Sequence, residues 1–395
     1  MNIFDGNNSG LYLDAAASAP PTARVIAVMS EVQRSCWGNP SSLHSQGLRA
    51  AECLERSRQA IAQRLGAEPD ELVFTSGATE SVHLAIRGLA AGLQPGRLVI
   101  SAVEHPAVEA AANALRLCGW SIAHWPVDDV GLIKLNYLEE LLAPPTRLVS
   151  LIWGQSEIGT VQPIETVGCV CRDLGLPIHT DATQVLSQGL PDWHSLPVDL
   201  MSGSGHKLRG PHGIGILLRR HKEGLFLHPL QGGGGQEDGL RAGTESVALA
   251  AGLAEAFQDL PDWSKVIDPM IPSILRDLRD DLLGSLLQVP GLRLSGDPNH
   301  RLPHHISVLA GTPRYKPVDS RAVVRELARR GVSISSGSAC SSGRSTDSAV
   351  LTAIGVDPIW RRSGLRITLG PWLEQSRLDN LPELIAEAIA VASSP

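Results

Sequence analysis

Short apolar runs alternate with longer stretches in which apolar residues recur every three or four positions. The short runs are typical of buried strands, and the longer recurrence is typical of amphipathic helices. The predicted strands cover residues 72–74, 97–100, 147–153 and 214–218, and the predicted helices cover 48–65, 80–93, 108–118 and 166–174. This alternation predicts an α/β fold built on a mainly parallel central sheet.

The pattern changes after about residue 262. A long helix is predicted over 266–287, interrupted early by Pro269 and Pro272. Strands at 305–309 and 365–369 and helices at 320–330 and 378–391 follow. A chain of 395 residues exceeds what one hydrophobic core normally serves. We therefore predict a large domain over 21–262, a smaller α+β domain over 263–395, and an N-terminal segment, 1–20, packed near the small domain.

Composition excludes several classes of function. Apolar residues make up 43% of the chain, and the formal net charge of −7 gives no electrostatic case for a nucleic-acid partner. No apolar run is long enough to span a bilayer, and residues 1–7 have neither the basic nor the apolar region of a secretory signal. Six cysteines in so long a chain fit a reducing compartment better than a disulfide framework. We predict a cytoplasmic protein with no nucleic-acid or membrane partner.

One lysine stands out from the others by its surroundings. The lysines are Lys134, Lys207, Lys222, Lys265 and Lys316. Only Lys207 follows an apolar strand-like run, 198–201, within a Ser/Gly/His segment; the others are interpreted as solvated. Asp181 follows the run 176–178, where an α/β sheet binds ligands, although a local turn is the alternative. An amine for a Schiff base and a carboxylate that protonates a pyridine nitrogen are what pyridoxal 5′-phosphate (PLP) requires.

A phosphate site is predicted near the same lysine. Residues 75–79, Thr-Ser-Gly-Ala-Thr, connect a predicted strand to a predicted helix. Free N–H groups at a helix N-terminus favour a dianionic phosphate, although Ser or Thr there is often only a cap. Ala78 and Thr79 therefore join Ser204 and His206 as candidate phosphate ligands. Gln184 is available to hydrogen-bond a ring oxygen.

Cys340 is the candidate nucleophile. It lies in the Ser/Gly-rich stretch 333–344, which cannot bury much apolar surface, and Arg344 favours its thiolate. No Cys/His group has zinc-site spacing, so no metal is predicted. His105, after the strand at 97–100, is either catalytic or structural. The remaining cysteines are predicted to be small buried residues: Cys36, Cys53, Cys118, Cys169 and Cys171.

Taken together, these motifs resemble the class V branch of fold-type I PLP enzymes, and more narrowly the cysteine desulfurases of the NifS/IscS group. The resemblance runs from Tyr12 to Gly370. The segments that carry it are 37–42 (Trp-Gly-Asn-Pro-Ser-Ser), 74–80 (Phe-Thr-Ser-Gly-Ala-Thr-Glu), 104–105 (Glu-His), 181–184 (Asp-Ala-Thr-Gln), 204–207 (Ser-Gly-His-Lys), 241–244 (Arg-Ala-Gly-Thr) and 335–340 (Ser-Ser-Gly-Ser-Ala-Cys). It implies the fold of a fold-type I PLP-dependent transferase.

The resemblance also implies roles for the residues around the cofactor. Lys207 holds PLP as a Schiff base and then transfers protons. Asp181 pairs with the pyridine nitrogen, Gln184 contacts the ring hydroxyl, and His105 stacks on the ring. The implied phosphate ligands are Thr79, Ser204, His206 and, from the other subunit of a homodimer, Thr244.

For the substrate, the resemblance implies L-cysteine held by its carboxylate. Arg366 and Asn39 are the implied carboxylate ligands. Cys340 attacks the sulfur of the bound substrate, which yields alanine and a protein persulfide for a sulfur-acceptor protein. Iron–sulfur cluster assembly and thiolation are the pathways that such a persulfide serves.

Two departures from the group keep alternatives open. The group usually has two asparagines before Glu-Ile-Gly, whereas this chain has Gln155 and Ser156. The second asparagine of the group, replaced here by Ser156, helps to orient the substrate. We also expect that the longer tail which docks an iron–sulfur scaffold is absent. Another class V activity, such as a cysteine or cystine C–S lyase or a selenocysteine lyase, is therefore the second hypothesis. An inactive homologue that acts as a binding partner is the third.

Overall fold

The computed structural model describes residues 10–337 and 347–394. Its strands are β1 (Leu11–Tyr12), β2 (Leu72–Thr75), β3 (Arg97–Ser101), β4 (Ser121–Trp125), β5 (Thr146–Ile152), β6 (Ile178–Asp181), β7 (Leu200–Ser204), β8 (Gly215–Arg219), β9 (Arg293–Leu294), β10 (His305–Leu309), β11 (Val332–Ser333), β12 (Ser335–Ser336) and β13 (Gly364–Thr368). Its helices are α1 (Ala23–Ser35), α2 (Ser45–Leu65), α3 (Ala78–His83, continued by a π-helical turn at Leu84–Gly88), α4 (Pro106–Arg116), α5 (Leu138–Leu142), α6 (Ile164–Asp173), α7 (Thr183–Leu186), α8 (Val247–Gln258), α9 (Trp263–Ile267), α10 (Ile274–Leu286), α11 (Ser320–Arg329), α12 (Ala349–Ala353) and α13 (Leu381–Ala392).

The large sheet has the strand order β2–β8–β7–β6–β5–β3–β4 within the described residues. Strands β4, β3, β5, β6 and β7 pair in parallel, whereas β8 runs antiparallel to both of its neighbours. The prediction of an α/β fold with a mainly parallel sheet is therefore confirmed. Because parallel strands point the same way, the carboxyl ends of β5, β6 and β7 meet at one edge, where such folds bind ligands.

Local sequence signals explain several element boundaries. Thr22 accepts a hydrogen bond from the backbone N–H of Val25 and so caps α1. Gly66 ends α2 in the left-handed region, with φ 68°. Neither α1 nor β4 was predicted. Both lie at the surface: α1 buries only Val25, and β4 buries only Trp125.

The helix predicted over 266–287 is interrupted at its two prolines, as expected, and the interruption separates two helices. Two helices occupy this region, α9 and α10, and the segment between them contains Pro269 and Pro272. Proline lacks the backbone N–H that an interior helical position needs, so the second helix begins only after both prolines. Ser273 caps it by accepting from the backbone N–H of Arg276.

A second, smaller sheet has the order β12–β13–β10–β9. Its apolar side chains, including Ile306 and Ile367, share a core with helices α10, α11 and α13. Leu11 and Leu13 belong to the same core, and β1 pairs in parallel with β11. Residues 11–13 therefore pack on this smaller unit, while the extent of the N-terminal segment and the domain boundaries at 20 and 262 stay predictions.

One face of the small sheet is polar. Arg366 and Ser307 are cross-strand partners in the β10–β13 register, as are His305 and Thr368. Side chains of cross-strand partners lie on the same face, and residues two apart on a strand share a face. The small sheet therefore presents polar groups on the side opposite its apolar core. Among the described residues, no helix combines the length and the apolarity that crossing a membrane requires.

Candidate active site

A cavity of about 490 Å³ opens at the carboxyl edge of the large sheet. Its volume is within the range of small-molecule sites in proteins. Most of the residues predicted from sequence line it: Ala78, Thr79, His105, Ser156, Asp181, Gln184, Ser204, His206, Lys207 and Arg366. Residues that are far apart in the chain are thus brought to one place.

Lys207 reaches the cavity from the turn that follows β7. Strand β7 ends at Ser204, and one turn of 3₁₀ helix, Gly205–Lys207, carries the lysine. Its Nζ donates to the carbonyl oxygens of Ala16 and Ala17, at 2.6 and 2.7 Å. Both alanines line the cavity, and the sequence pattern gave no signal for them because their backbone makes the contact.

Asp181 is the last residue of β6 and is 5% exposed. Its Oδ1 accepts from the backbone N–H of Thr183 at 3.0 Å and from the Thr183 hydroxyl at 2.5 Å. These contacts fix the carboxylate at the start of α7. The turn expected as an alternative role is therefore present, and it places the carboxylate on the cavity wall.

Glu104 lies buried behind this wall. Its Oε1 accepts from the backbone N–H groups of Ser101 and Ile152, at 3.2 and 2.8 Å, so it ties the ends of β3 and β5 together. Its Oε2 has no hydrogen-bond partner. Burial, and to a lesser degree the charge of Asp181, raises the pKa of Glu104 to about 8. Glu104 is therefore mostly protonated at neutral pH.

His105 has a structural contact as well as a place in the cavity. Its Nδ1 accepts from the backbone N–H of Ala107 at 3.1 Å and caps α4, whose first residue is Pro106. This bond leaves the proton of a neutral ring on Nε2 and fixes the orientation of the ring. A ring held in this way is suited to stacking on a planar ligand.

The phosphate end of the cavity is formed by the start of α3. Ala78 and Thr79 open this helix, directly after Gly77. A side chain on Gly215 would place its Cβ 2.6 Å from the Cα of Gly77, so glycine lets β8 pack closely against this turn. The free N–H groups of the first helical turn and the hydroxyl groups of Thr79 and Ser204 thereby border one part of the cavity.

Two residues missed by sequence reasoning extend this end. Ser18 Oγ lies 3.3 Å from Nδ1 of His206 and 3.0 Å from Nε2 of His212. Burial, with smaller contributions from Lys207 and His212, lowers the pKa of His206 to about 4. His206 is thus a neutral imidazole at pH 7, able to donate one hydrogen bond to an anion.

The donor set of the cavity fits PLP. It contains an amine, a carboxylate, and hydroxyl and N–H groups for a phosphate. Gln184 supplies a further test, since its Nε2 donates to Ala16 at 3.0 Å while its buried Oε1 has no partner. A ring hydroxyl would provide the donor that this oxygen lacks.

Arg366 closes the cavity from the small sheet. Its Nη2 pairs with Oδ1 of Asp14 at 2.8 Å, and its Nη1 donates to the carbonyl oxygen of Ser156 at 3.0 Å. The same carbonyl lies 3.1 Å from Nε2 of His305. Next to His305, His304 is fully buried with neither ring nitrogen hydrogen-bonded, and burial, with help from Arg366, lowers its pKa to about 3. The small-sheet side of the cavity therefore combines the positively charged Arg366 with the neutral imidazole of His304 behind it.

Two of the predicted residues that the structure describes, Asn39 and Thr244, do not line the cavity. Asn39 is exposed, and its side chain accepts from the backbone N–H of Ser41 at 2.9 Å. Thr244 is also exposed and lies outside the cavity lining. Cys340 lies outside the described residues.

The prediction that the other cysteines are buried is correct only for Cys171. Cys118 and Cys169 are exposed, and Cys36 and Cys53 are half-buried. These four lie at helix ends or on helix faces turned towards solvent, where a small side chain costs little to expose. No group of His, Cys, Asp and Glu that could hold a metal was found in the part of the chain that the structure describes.

Comparison with known proteins places this geometry in a family. The model of the aminotransferase class-V family matches residues 11–381 of this chain. The mitochondrial cysteine desulfurase of Saccharomyces cerevisiae is 35% identical over 96% of this chain and 75% of its own length. A solved structure described as a NifS-like protein has a TM-score of 0.86 at 29% identity, covering 97% of this chain and all of that one. The structure of SspA in complex with cysteine has a TM-score of 0.78 at 34% identity, covering 92% and 100%.

This chain belongs to the aminotransferase class-V family and, within it, to the cysteine desulfurases of the NifS/IscS group. Its fold is that of the fold-type I PLP enzymes, as the sequence motifs predicted.

Proposed function

We propose that this protein converts L-cysteine to L-alanine and retains the sulfur as a persulfide on Cys340. Membership of the PLP-dependent cysteine desulfurases supports the reaction, and one similar structure is described as holding cysteine. The observation that carries the proposal is the convergence of Lys207, Asp181 and Arg366 on one cavity. An amine, a carboxylate and a guanidinium there match a cofactor ring and the carboxylate of an amino acid.

PLP, when bound, spreads the negative charge of the deprotonated substrate carbon into its protonated ring. Asp181 is the residue that keeps the pyridine nitrogen protonated, because its carboxylate is fixed by Thr183. Lys207 Nζ attaches the cofactor and moves a proton at the substrate α-carbon. Thr79, Ser204 and His206 hold the phosphate.

Arg366 binds the substrate carboxylate. The residue is 5% exposed, and its guanidinium is already bonded to Asp14 and to the carbonyl of Ser156. Its Nε has no hydrogen-bond partner, so this N–H and the unused N–H groups of Nη1 and Nη2 are left for an incoming carboxylate. A bidentate arginine–carboxylate pair adds geometric specificity for an α-amino acid.

Cys340 takes the sulfur. Its thiolate attacks the substrate sulfur, the new S–S bond forms as the carbon–sulfur bond breaks, and the carbon product is released as alanine after protonation. The residue needs a nucleophilic thiolate and access to both the cavity and an external acceptor.

The experiment that tests this proposal uses C340A with one equivalent of L-cysteine. Alanine is measured by chromatography and protein-bound sulfur by mass spectrometry. We expect the variant to retain the absorbance of bound PLP and to form no persulfide. C118A, which removes an exposed cysteine at the end of α4, is the control and should behave like the parent. Sulfur release by C340A at the parent rate would contradict the role of Cys340.

We also infer a homodimer in which Thr244 of each copy completes the phosphate site of the other. The exposure of Thr244 in the single chain supports this arrangement. We further propose that the persulfide sulfur passes to an acceptor protein in iron–sulfur cluster assembly or thiolation. The proposed location is the cytoplasm. Sedimentation of the holoprotein should give the mass of two chains, and the mass of one chain would contradict the dimer.

A C–S lyase or selenocysteine lyase is the second candidate, favoured by Ser156. The hydrogen bonds described for this residue use its carbonyl oxygen, so the side chain adds no amide to the substrate side. A C–S lyase releases pyruvate and ammonia in place of alanine, and a selenocysteine lyase releases selenide. Product analysis with L-cysteine and L-selenocysteine distinguishes these activities.

A further inference from the structure

A buried ion pair lies outside the cavity described above. Glu237 belongs to one turn of 3₁₀ helix, Gln236–Gly239, and its side chain is only 1% exposed. Arg58 of α2 donates two hydrogen bonds to its carboxylate, from Nη2 to Oε1 at 2.7 Å and from Nη1 to Oε2 at 2.9 Å. Burying two charges is costly even when they pair. The desulfurase reaction proposed above uses neither residue.

The ion pair covers the free edge of β2, the last strand at one end of the large sheet. Oε2 of Glu237 accepts from the backbone N–H of Phe74 at 2.7 Å, and Nη1 of Arg58 donates to the carbonyl oxygen of Leu72 at 2.7 Å. An edge strand leaves N–H and C=O groups unpaired along its outer side. The two side chains therefore take the place of a neighbouring strand along β2.

Strand β2 leads directly into the turn proposed to hold the phosphate of the cofactor. This phosphate turn, residues 75–79, begins at the last residue of β2 and ends in the first turn of α3. Phe74 is the residue immediately before it. The hydrogen bond from Phe74 to Glu237 therefore fixes the strand end from which the phosphate turn starts.

The same segment also contacts the far side of the phosphate turn. Nε of Arg241 donates to Oε1 of Glu80 at 3.0 Å, and Oε2 of Glu80 accepts from the backbone N–H of Ser76 at 2.6 Å. Glu80 is in the first turn of α3 and lines the cavity. Segment 237–241 is therefore bonded to the chain on both sides of the phosphate turn.

The backbone of this segment is shaped for these contacts. Glu237 and Asp238 have φ values of 49° and 54°, in the left-handed region that few non-glycine residues occupy. Asp238 is exposed, whereas Glu237 is buried, so the turn directs one carboxylate towards solvent and the next inwards. Gln236 accepts from the backbone N–H of Gly243 at 3.1 Å and so closes the segment. Backbone strain of this kind persists only where surrounding contacts hold it.

We propose that Glu237 and Arg241 are positioning residues that hold the phosphate turn in the geometry that binds the cofactor phosphate. The inference rests on the PLP site proposed above, and neither residue lines the cavity. The N–H groups at the start of α3 bind a phosphate only if they point to one place. Loss of either positioning residue should therefore weaken the hold on the phosphate and leave the bond at Lys207 unchanged.

Binding of PLP compared with pyridoxal, which lacks the phosphate, tests the proposal. The full-length protein is stripped of cofactor and titrated with each compound, while the absorbance of the Schiff base at Lys207 is followed. The parent should bind PLP more tightly than pyridoxal. In E237Q and in R241Q, the Kd for PLP should rise by about 10-fold, as for the loss of one charge-assisted hydrogen bond, and the Kd for pyridoxal should not change.

R241Q protects the test against a folding defect in E237Q. Removing one partner of a buried ion pair is strongly destabilising, whereas Arg241 and Glu80 are both partly exposed. Glu326 offers a matched control, because its carboxylate also pairs with arginine side chains but lies on α11 of the smaller unit. E326Q should bind both compounds as the parent does.

The outcomes separate this inference from the proposed function. An unchanged ratio of the two Kd values in R241Q would overturn the inference, and so would equal losses for PLP and pyridoxal, which a general structural defect produces. A selective loss for PLP in R241Q, and in E237Q where circular dichroism shows a folded protein, would support it. A parent that forms no Schiff base at Lys207, or that does not prefer PLP, would overturn the proposed PLP site and the inference with it.

Discussion

The two walls of the cavity are held in different ways. On the large-sheet wall, Asp181 is fixed by a residue two positions away, and Lys207 follows directly from the end of β7. On the small-sheet wall, Arg366 is fixed by Asp14 and Ser156, which are 352 and 210 positions away in the chain. Local structure thus places the carboxylate and the amine of the cofactor wall, although Lys207 also donates to the distant carbonyl oxygens of Ala16 and Ala17. On the substrate wall, both described partners of Arg366 are distant in the chain.

The two walls also differ in the protein contacts that a bound ligand adds or replaces. The orphan oxygen of Gln184 on the cofactor wall gains a partner when a ring hydroxyl arrives. Arg366 already has two partners, so a substrate carboxylate exchanges contacts as well as adding them. We therefore expect substitutions on the cofactor wall to affect catalysis most, and substitutions on the substrate wall to affect the apparent affinity for cysteine.

Replacement of Asp181 should give the largest effect. In D181N, the pyridine nitrogen loses its anionic partner, and kcat/KM for alanine formation should fall by at least about 10²-fold, as when a preorganised charged or polar partner is removed. PLP should remain attached to Lys207, as absorbance spectra would show. Retention of the parent rate by D181N would contradict the role of this carboxylate.

Replacement of Arg366 should act mainly on KM. R366K keeps the positive charge but loses the bidentate geometry, so KM for L-cysteine should rise by about 10-fold to 10²-fold, the equivalent of one lost charge-assisted hydrogen bond. Arg362 offers a control on the same side of the molecule, since its side chain is half exposed and lies 3.6 Å from Asp319. R362K should leave KM unchanged. A fall in kcat alone in R366K would argue against carboxylate binding.

Restoration of the asparagine of the group should give a smaller change. S156N adds an amide beside the carbonyl that contacts Arg366 and His305. One additional neutral hydrogen bond should raise kcat/KM for cysteine by about 2-fold to 10-fold. Steady-state assays on cysteine and selenocysteine measure this change. A drop in activity would show that Ser156 suits the preferred substrate.

Glu104 should affect stability more than turnover. Its folded-state pKa of about 8 exceeds the ordinary value of 4.5, so the folded protein binds more protons than the unfolded chain between these pH values. The free energy of unfolding should therefore fall as pH rises from 4.5 to 8, by an amount on the order of a few kcal/mol. E104Q, which cannot ionise, should show a flatter profile in urea unfolding at a series of pH values. Parallel profiles for the two proteins would refute a protonated Glu104.

The same contrast explains how much could be predicted from sequence. Asp181, Ser204 and Lys207 lie at strand ends, and an apolar run followed by polar residues reveals such positions. Ala16 and Ala17 contribute only carbonyl oxygens to Lys207, which any residue could supply, so no pattern indicated them. These carbonyl groups become neighbours of Lys207 only through packing across most of the chain.

Helix α1 was missed although its apolar residues 25, 28, 29 and 32 have helical spacing, and only Val25 of its 13 residues is buried in the single chain. The break between α9 and α10 was predicted from the two prolines, whereas its extent, to the start of α10 at Ile274, was not. The resemblance supplied Arg366 and Ser156, which spacing alone did not single out.

The central claim is that Lys207 carries the cofactor, and borohydride reduction followed by peptide mapping tests it most directly. Reduction of the holoenzyme should attach the cofactor irreversibly to one lysine and block tryptic cleavage there. The account predicts a labelled, uncleaved peptide 173–209, absent from K207A. A label on any other lysine, or no label after reconstitution with PLP, would contradict it.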